Sequence, residues 1–161
     1  MNLLLTAAYW QVILLLALLA LAAVEDGWRA RINDLVPAGI AIAAFTAVAL
    51  DGPIVGLWQN LLLFAAVLIA GTLLFARGAM GGGDIKLLAA SVLWFDLNSG
   101  WKLLVAIAIA GGLEALIVLA LRLVSWPPEV TKRVALLRRG AGIPYGIAIA
   151  AGVAAMIWWL R

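Results

Sequence analysis

Long apolar runs separated by short polar stretches recur along the whole 161-residue chain. Hydrophobic residues make up 67% of it, whereas a water-soluble domain is roughly half apolar. Lipid offers the backbone no hydrogen-bonding partner, so runs long enough to cross a membrane must form helices. The sequence therefore predicts an all-α, polytopic membrane helix bundle that forms one membrane-embedded domain over residues 1–161.

Six apolar segments are predicted to be helical. They are Leu3–Val24, Val36–Leu50, Leu57–Ala76, Asp84–Phe95, Trp101–Leu123 and Ile143–Leu160. The first is too long for the apolar core of a signal peptide, about 7–15 residues, so we expect it to remain as a membrane helix. The fourth rises only about 18 Å and is too short to cross a core of about 30 Å alone. Asp51–Pro53 and Asp96–Gly100 are predicted to be turns on the outer side.

The basic residues of the loops sort onto one side of the predicted membrane. Nine of the eleven lie there: Arg29, Arg31, Arg77, Lys86, Arg122, Lys132, Arg133, Arg138 and Arg139. Lys102 and Arg161 lie on the other side. Because cytoplasmic loops are enriched in Lys and Arg, we expect a multi-pass protein of the inner (cytoplasmic) membrane with both termini outside the cytoplasm. This charge pattern indicates topology in a lipid bilayer, and no nucleic-acid partner is expected.

The chain contains no histidine and no cysteine. This composition excludes disulfides, thiol nucleophiles, Ser-His-Asp triads and zinc or iron sites built on His or Cys. Any catalysis must therefore use carboxylates, lysine, tyrosine or a hydroxyl group. We expect neither a cofactor nor a metal site.

Asp26 and Asp84 stand out among the eight acids because each lies at a predicted cytoplasmic membrane boundary, where an acid is costly without a use. Asp84 follows Gly81–Gly83 and begins a helix. It could be an ordinary N-cap after a turn. However, three glycines raise the entropic cost of ordering a loop, which is easier to explain if something binds there. Asp26 could be an ordinary carboxylate at a helix end.

The helix dipole disfavours charge on Asp26, at a helix C-terminus, and favours it on Asp84, at a helix N-terminus. Acid–base pairs use two carboxylates whose environments differ in this way. Within a few ångströms of each other, they would share one proton. One could then take a proton from water while the other donated to a peptide carbonyl or leaving amine. The expected chemistry is aspartic proteolysis.

Glu114 lies near the middle of the fifth segment. An acid inside a membrane span is a functional candidate by default. The alternative is a protonated glutamic acid, or one paired with the backbone or a lysine, for which Lys86 is the nearest cation in depth. We assign Glu114 no role in the predicted site.

Three motifs, in order along the chain, resemble those of type IV prepilin peptidases. Met80–Ala90 contains Gly81–Asp84 and resembles the GxGD signature of that family. Asp26, followed by Arg29–Asn33, resembles the family's first catalytic aspartate with its basic stretch and Ile-Pro-Asn sequence. Ile143–Gly146 resembles its late Pro-Tyr-Gly segment. Three motifs in the right order are far more specific than GxGD alone.

The resemblance implies a GxGD membrane aspartic endopeptidase. Its substrates would be prepilins or pilin-like precursors, which it would cut after a glycine at the cytoplasmic face to release a short basic leader. The resemblance implies Asp26 and Asp84 as the catalytic pair, Gly81 and Gly83 as the loop glycines, and Lys86 as the lysine of the motif.

The chain departs from the family pattern in two respects. The proline expected between Ile32 and Asn33 is absent, so the entry to the second helix is expected to differ. Larger members carry a cytoplasmic domain, often with paired cysteines, and also N-methylate the new amino terminus. This chain has no such domain, so methyl transfer is not expected. The small form is similar to peptidases of Flp/Tad-type pilus systems, with archaeal preflagellin peptidases as a close alternative.

Two other classes stay open at this point. A presenilin-like intramembrane GxGD protease would hold both aspartates inside spans, whereas Asp26 is predicted to lie in a charged loop. A non-enzymatic subunit of a pilus, secretion or transport system would use its acids for coupling or packing. The sequence sets no oligomeric state.

Overall fold

The computed structural model describes residues 2–51, 56–138, 140 and 142–160, and all regular secondary structure within them is helical. The α-helices are α1 (Leu3–Thr6), α2 (Tyr9–Arg29), α3 (Leu35–Asp51), α4 (Leu57–Ala76), α5 (Gly82–Val92), α6 (Leu97–Leu123), α7 (Pro128–Arg133) and α8 (Tyr145–Leu160), with a 3₁₀ turn at Ala135–Leu137. Residues 52 and 53 of the predicted outer turn, and two of the basic residues, Arg139 and Arg161, lie outside the described residues.

Helix length divides the bundle into three kinds of segment. Helices α2, α4 and α6 are long and apolar enough to cross a membrane, while α3 and α8 are apolar but shorter. Helix α5 has 11 residues and rises about 16 Å, well short of a hydrocarbon core of about 30 Å. The six predicted segments correspond to α2–α6 and α8, and the all-α membrane bundle is confirmed.

The first helix differs from its prediction at both ends. The chain is extended at Ala7 and Ala8, which separates α1 from α2. Tertiary contacts hold α1 in this position, because the Leu3 N–H donates to the Trp94 carbonyl at 3.0 Å and Asn2 Nδ2 donates to Ser99 Oγ at 3.0 Å. Helix α2 then continues five residues beyond the predicted end at Val24. The predicted charged loop around Asp26 is therefore wrong, and this acid lies in the last turns of a helix.

Helix α6 begins four residues before its predicted start at Trp101. The Asp96 side chain accepts a hydrogen bond from the Ser99 N–H at 2.7 Å and caps the helix, so the predicted turn after Asp96 is the first turn of α6.

The helices pack in a continuous series. Helix α8 packs mainly between α6 and α2, α5 packs mainly between α4 and α3, and contacts between α2 and α3 join the two groups. Two side-chain bonds hold the C-terminal end of the short α5: Asn60 Nδ2 donates to the Leu93 carbonyl at 2.8 Å, and Trp94 Nε1 donates to the Ile40 carbonyl at 3.3 Å. The opposite end of α5 borders a cavity together with the end of α2.

Close packing between α6 and α8 depends on a glycine. A Cβ atom at Gly152 would lie 3.0 Å from both the Cα and the N atoms of Ile107, so the two backbones approach as closely as they do because Gly152 has no side chain. Such small-residue contacts are typical of helix pairs in membranes.

We expect Gly152→Ala to force α6 and α8 apart and to lower the free energy of unfolding by about 1–3 kcal/mol. Gly112→Ala, in the interior of α6, is the matched control, because no described atom lies within 4 Å of the added methyl group. That change should be neutral or stabilising by about 1 kcal/mol, since alanine favours helix over glycine. Thermal unfolding in detergent measures both, and equal melting temperatures for the two variants would contradict the close contact.

Candidate active site

Asp26 lies in the last turns of α2 with its side chain buried, 4% exposed. Its Oδ2 accepts a hydrogen bond from the Gly146 N–H at 2.7 Å. Gly146 is the second residue of α8, where backbone N–H groups have no partner within their own helix. The carboxylate of one helix thus caps the N-terminus of another. The expectation that Asp26 meets only the unfavourable end of a dipole is wrong, because the favourable end of α8 faces the same carboxylate.

Asp84 is the third residue of α5 rather than its N-cap. The helix begins at Gly82 with Gly81 as N-cap, and the Gly81 N–H is near enough to the Asp84 carboxylate to favour its charged form. An acid at the third position commonly reaches back to the N-cap in this way. A Cβ atom on Gly81 would lie 2.7 Å from Asp84 Oδ2, so a side chain at Gly81 would displace the carboxylate.

Ile32 links the two helix ends that hold the aspartates. Its side chain is buried in the loop between α2 and α3. A Cβ atom on Gly83, in the first turn of α5, would lie 3.2 Å from the Ile32 Cβ. One on Gly146, in the first turn of α8, would lie 3.2 Å from the Ile32 Cδ1. The glycines at these two positions let both helix N-termini pack against one isoleucine.

The two predicted catalytic aspartates line one cavity of about 340 Å³. Its other lining residues come from the end of α2 and the loop after it, from the glycine-rich run and from α5: Ala30, Arg31, Ile32, Asp34, Gly81, Gly82, Gly83 and Lys86. The carboxylates are close enough that the charge of Asp26 acts on Asp84. All five predicted site residues therefore border a single space between α2, α5 and the loop before α3.

Lys86 forms an ion pair with Asp34, with Nζ 2.8 Å from Oδ1. Both side chains are more than half exposed, so the pair contributes little to stability. Because Lys86 pairs with Asp34 and neither carboxylate oxygen of Glu114 has a hydrogen-bond partner among the described residues, the interpretation that Lys86 is the partner of Glu114 is wrong.

Burial, and after it the negative charge of Asp26, together raise the pKa of Asp84 to about 7, although the backbone N–H of Gly81 opposes the shift. The helix dipole was expected to favour the charged form. Burial beside a second carboxylate outweighs the dipole, since removal from water penalises charge strongly. A carboxyl group with this pKa can hold a proton near neutral pH and release it again, as general acid–base catalysis requires.

Glu114 lies outside this cavity, in α6. Its side chain is buried, and neither carboxylate oxygen has a hydrogen-bond partner among the described residues. The backbone N–H of Ala148 is near enough to act on it electrostatically, but the contact lacks hydrogen-bond geometry.

The partner of Asp26 is the feature that sequence reasoning missed. Pro144 before an apolar run does indicate a helix N-terminus, with free N–H groups after it. No local signal connects that terminus to an acid 120 residues earlier in the chain.

Within the described residues, no group of three or more acids is arranged to hold a metal ion.

A sequence model of the type IV leader peptidase family matches residues 13–121. The matched range includes both aspartates, the glycines and Lys86, and ends before Gly146. No curated protein and no solved structure matches the chain.

We expect Gly83→Ala to push Ile32 away, to lower the free energy of unfolding by about 1–3 kcal/mol and to loosen the loop before α3. Gly82→Ala is the control, because its methyl group would meet the Phe75 ring at an ordinary contact distance of 3.5 Å. Hydrogen–deuterium exchange across residues 30–34 should accelerate in the first variant and stay unchanged in the second. Equal exchange in both would mean that Ile32 does not depend on Gly83.

Proposed function

Because this chain belongs to the type IV leader peptidase family, we propose that it is an aspartic endopeptidase that removes the leader peptide from prepilin or pilin-like precursors. Asp26 and Asp84 are the proposed catalytic pair. The observation that carries the proposal is their shared cavity: the buried carboxylate of Asp26 and the half-buried carboxylate of Asp84, contributed by different helices, border one space.

The pair would work with one shared proton. Asp26, which accepts the Gly146 N–H, is the proposed base that takes a proton from water. Asp84 is the proposed acid, because it retains a proton up to about pH 7. Hydroxide from the water adds to the scissile carbonyl carbon while Asp84 protonates the carbonyl oxygen. As the C–N bond breaks, the proton on Asp26 passes to the leaving amine, and one hydroxyl of the gem-diol returns a proton to Asp84, which leaves a carboxylic acid product and restores the pair.

The position of the cavity supports cleavage at the membrane surface rather than within the bilayer. Asp26 is near the end of α2 and Asp84 is in the first turn of α5. Charged side chains of Arg31, Asp34 and Lys86 line the same cavity. A presenilin-like activity deep in a span would need an approach through apolar surface, and these charges border the pair instead. The Lys and Arg distribution supports a cytoplasmic position for this end of the bundle.

We expect Asp26→Asn and Asp84→Asn each to reduce processing at least about 100-fold, because each removes one partner of the acid–base pair. Glu129→Gln is the control: it is the same carboxylate-to-amide change, at an exposed residue outside the cavity whose ion pair with Lys132 contributes little. Co-expression with a pilin-like precursor, followed by the size shift on a gel, measures processing, and membrane abundance is measured in parallel. Cleavage by either Asn variant at the wild-type rate would refute the pair. A wild type that cleaves no pilin-like precursor would favour a non-enzymatic subunit.

The rate should depend on pH along a bell-shaped curve. On the acid side both carboxyl groups become protonated and the base is lost. On the alkaline side, the pKa of Asp84, about 7, sets where the proposed acid loses its proton, so kcat should fall as the pH rises beyond that value. Initial rates with purified enzyme in detergent between roughly pH 4 and pH 9 test this, and a flat profile over that range would be incompatible with a carboxyl pair.

A further inference from the structure

A second cavity, of about 330 Å³, lies between α6 and α8. We call it the α6–α8 groove. Its α6 wall extends from Ala110 to Leu121, about 16 Å along the helix, and its α8 wall extends from Ile147 to Ala151. All lining side chains are apolar except one, Glu114.

Glu114 is 92% buried, since only 8% of the residue is exposed, and both of its carboxylate oxygens lack a hydrogen-bond partner among the described residues. Burying an unpaired carboxyl group is costly, and the cost is higher where lipid replaces water. Two cations on the same side of the bundle have other partners. Lys86 pairs with Asp34, and Arg122 donates to the carbonyl oxygens of Leu136 and Gly142. The groove thus contains a polar group with unused bonding capacity.

The groove adjoins the proposed active site. Its residue Ile147 directly follows Gly146, whose N–H holds Asp26. A Cβ atom on Gly27, the neighbour of Asp26, would contact the Ile147 Cδ1 at 3.4 Å. The end of the groove formed by Ile147 therefore lies against the turn of α2 that carries Asp26.

We propose that the α6–α8 groove binds the apolar membrane helix of the precursor, on the mature side of the scissile bond, and that Glu114 hydrogen-bonds a polar group of that helix. The inference rests on the proposed function, because it requires a substrate whose cut site reaches the two aspartates. On the mature side of the scissile bond, the precursor would enter the lipid beside the end of α2, where the groove begins.

The chemistry of the groove favours a protein helix over a lipid chain. Ala110, Ala148 and Ala151 are small, and small residues let two helix backbones approach closely. An acyl chain would fill the apolar surface but offers no hydrogen-bond donor, so it would leave Glu114 unsatisfied. A helix with a hydroxyl, amide or other donor at the matching depth satisfies both the surface and the carboxyl group.

Photo-cross-linking locates the bound helix directly. The enzyme carries Asp84→Asn to retain uncleaved precursor, and benzoylphenylalanine replaces either Ile117 or Leu119. The two positions are on the same helix at similar depth and are similarly exposed, 60% and 54%, but only Ile117 lines the groove. We expect the precursor to cross-link to position 117 and not to position 119. Equal cross-linking at both positions, or cross-linking of position 117 to lipid alone, would overturn the proposal.

Kinetics with an active enzyme test whether the contact matters for processing. Ala151→Trp fills the groove and should raise KM for the full precursor on the order of tenfold with kcat unchanged, as for a lost binding contact. Ala108→Trp adds the same bulk at an exposed position off the groove and should leave KM unaltered. A short peptide that contains the cleavage site but lacks the apolar helix should be cut equally by the wild type and both variants. An identical KM for Ala151→Trp and Ala108→Trp on the full precursor would contradict the proposal.

Substitution of Glu114 separates binding from packing. Glu114→Leu removes an unpaired buried carboxyl group, so thermal stability should be maintained or increased, while KM for the precursor should rise. Glu114→Gln retains hydrogen bonding and should raise KM less. If Glu114→Leu leaves KM unchanged while the wild type cleaves the precursor, the groove proposal fails and the proposed function stands. If the wild type cleaves no precursor, the proposed function fails, and the groove proposal fails with it.

Discussion

The hydrogen bond from the Gly146 N–H to Asp26 joins two groups that would each be costly alone. A carboxylate at 4% exposure needs a donor, and the first N–H groups of α8 need an acceptor. Because one bond satisfies both, the start of α8 is fixed against the end of α2. Ile32 then fits between that junction and Gly83, which brings the first turn of α5 and Asp84 to the same cavity.

Hydropathy alone predicts the ends of a helix where the local sequence itself bounds the apolar run. Helix α4 agrees with its prediction to the residue, since the run from Leu57 to Ala76 is uninterrupted and ends at an arginine. It was insufficient where tertiary contacts set the boundary. Helix α2 passes through Glu25 and Asp26 because the second of these acids is satisfied by a distant backbone group, which no local pattern reveals.

The candidate site was predicted in its parts but not in its arrangement. Elimination of His and Cys, the side of the membrane and the motif spacing all favoured Asp26 and Asp84. The environment of Asp84 differs from the one predicted, because its burial beside a second acid outweighs the effect of the helix dipole. Two of the three motif glycines have steric reasons to be glycine, Gly81 beside the Asp84 carboxylate and Gly83 beside Ile32, so the loop is ordered by the bundle itself as well as by anything it binds.

Gly146 follows Asp26 by 120 positions in the chain, so the two partners of this hydrogen bond are synthesised at different times. A ribosome delivers both aspartates to the membrane well before it has made α8, the last of the described helices. Until α8 inserts, the Asp26 carboxylate lacks its donor and Ile32 lacks one of the two helix ends it packs between. The proposed active site can therefore form only after α8 has inserted. A partly synthesised chain contains both aspartates but not the arrangement of helices that the proposed protease needs.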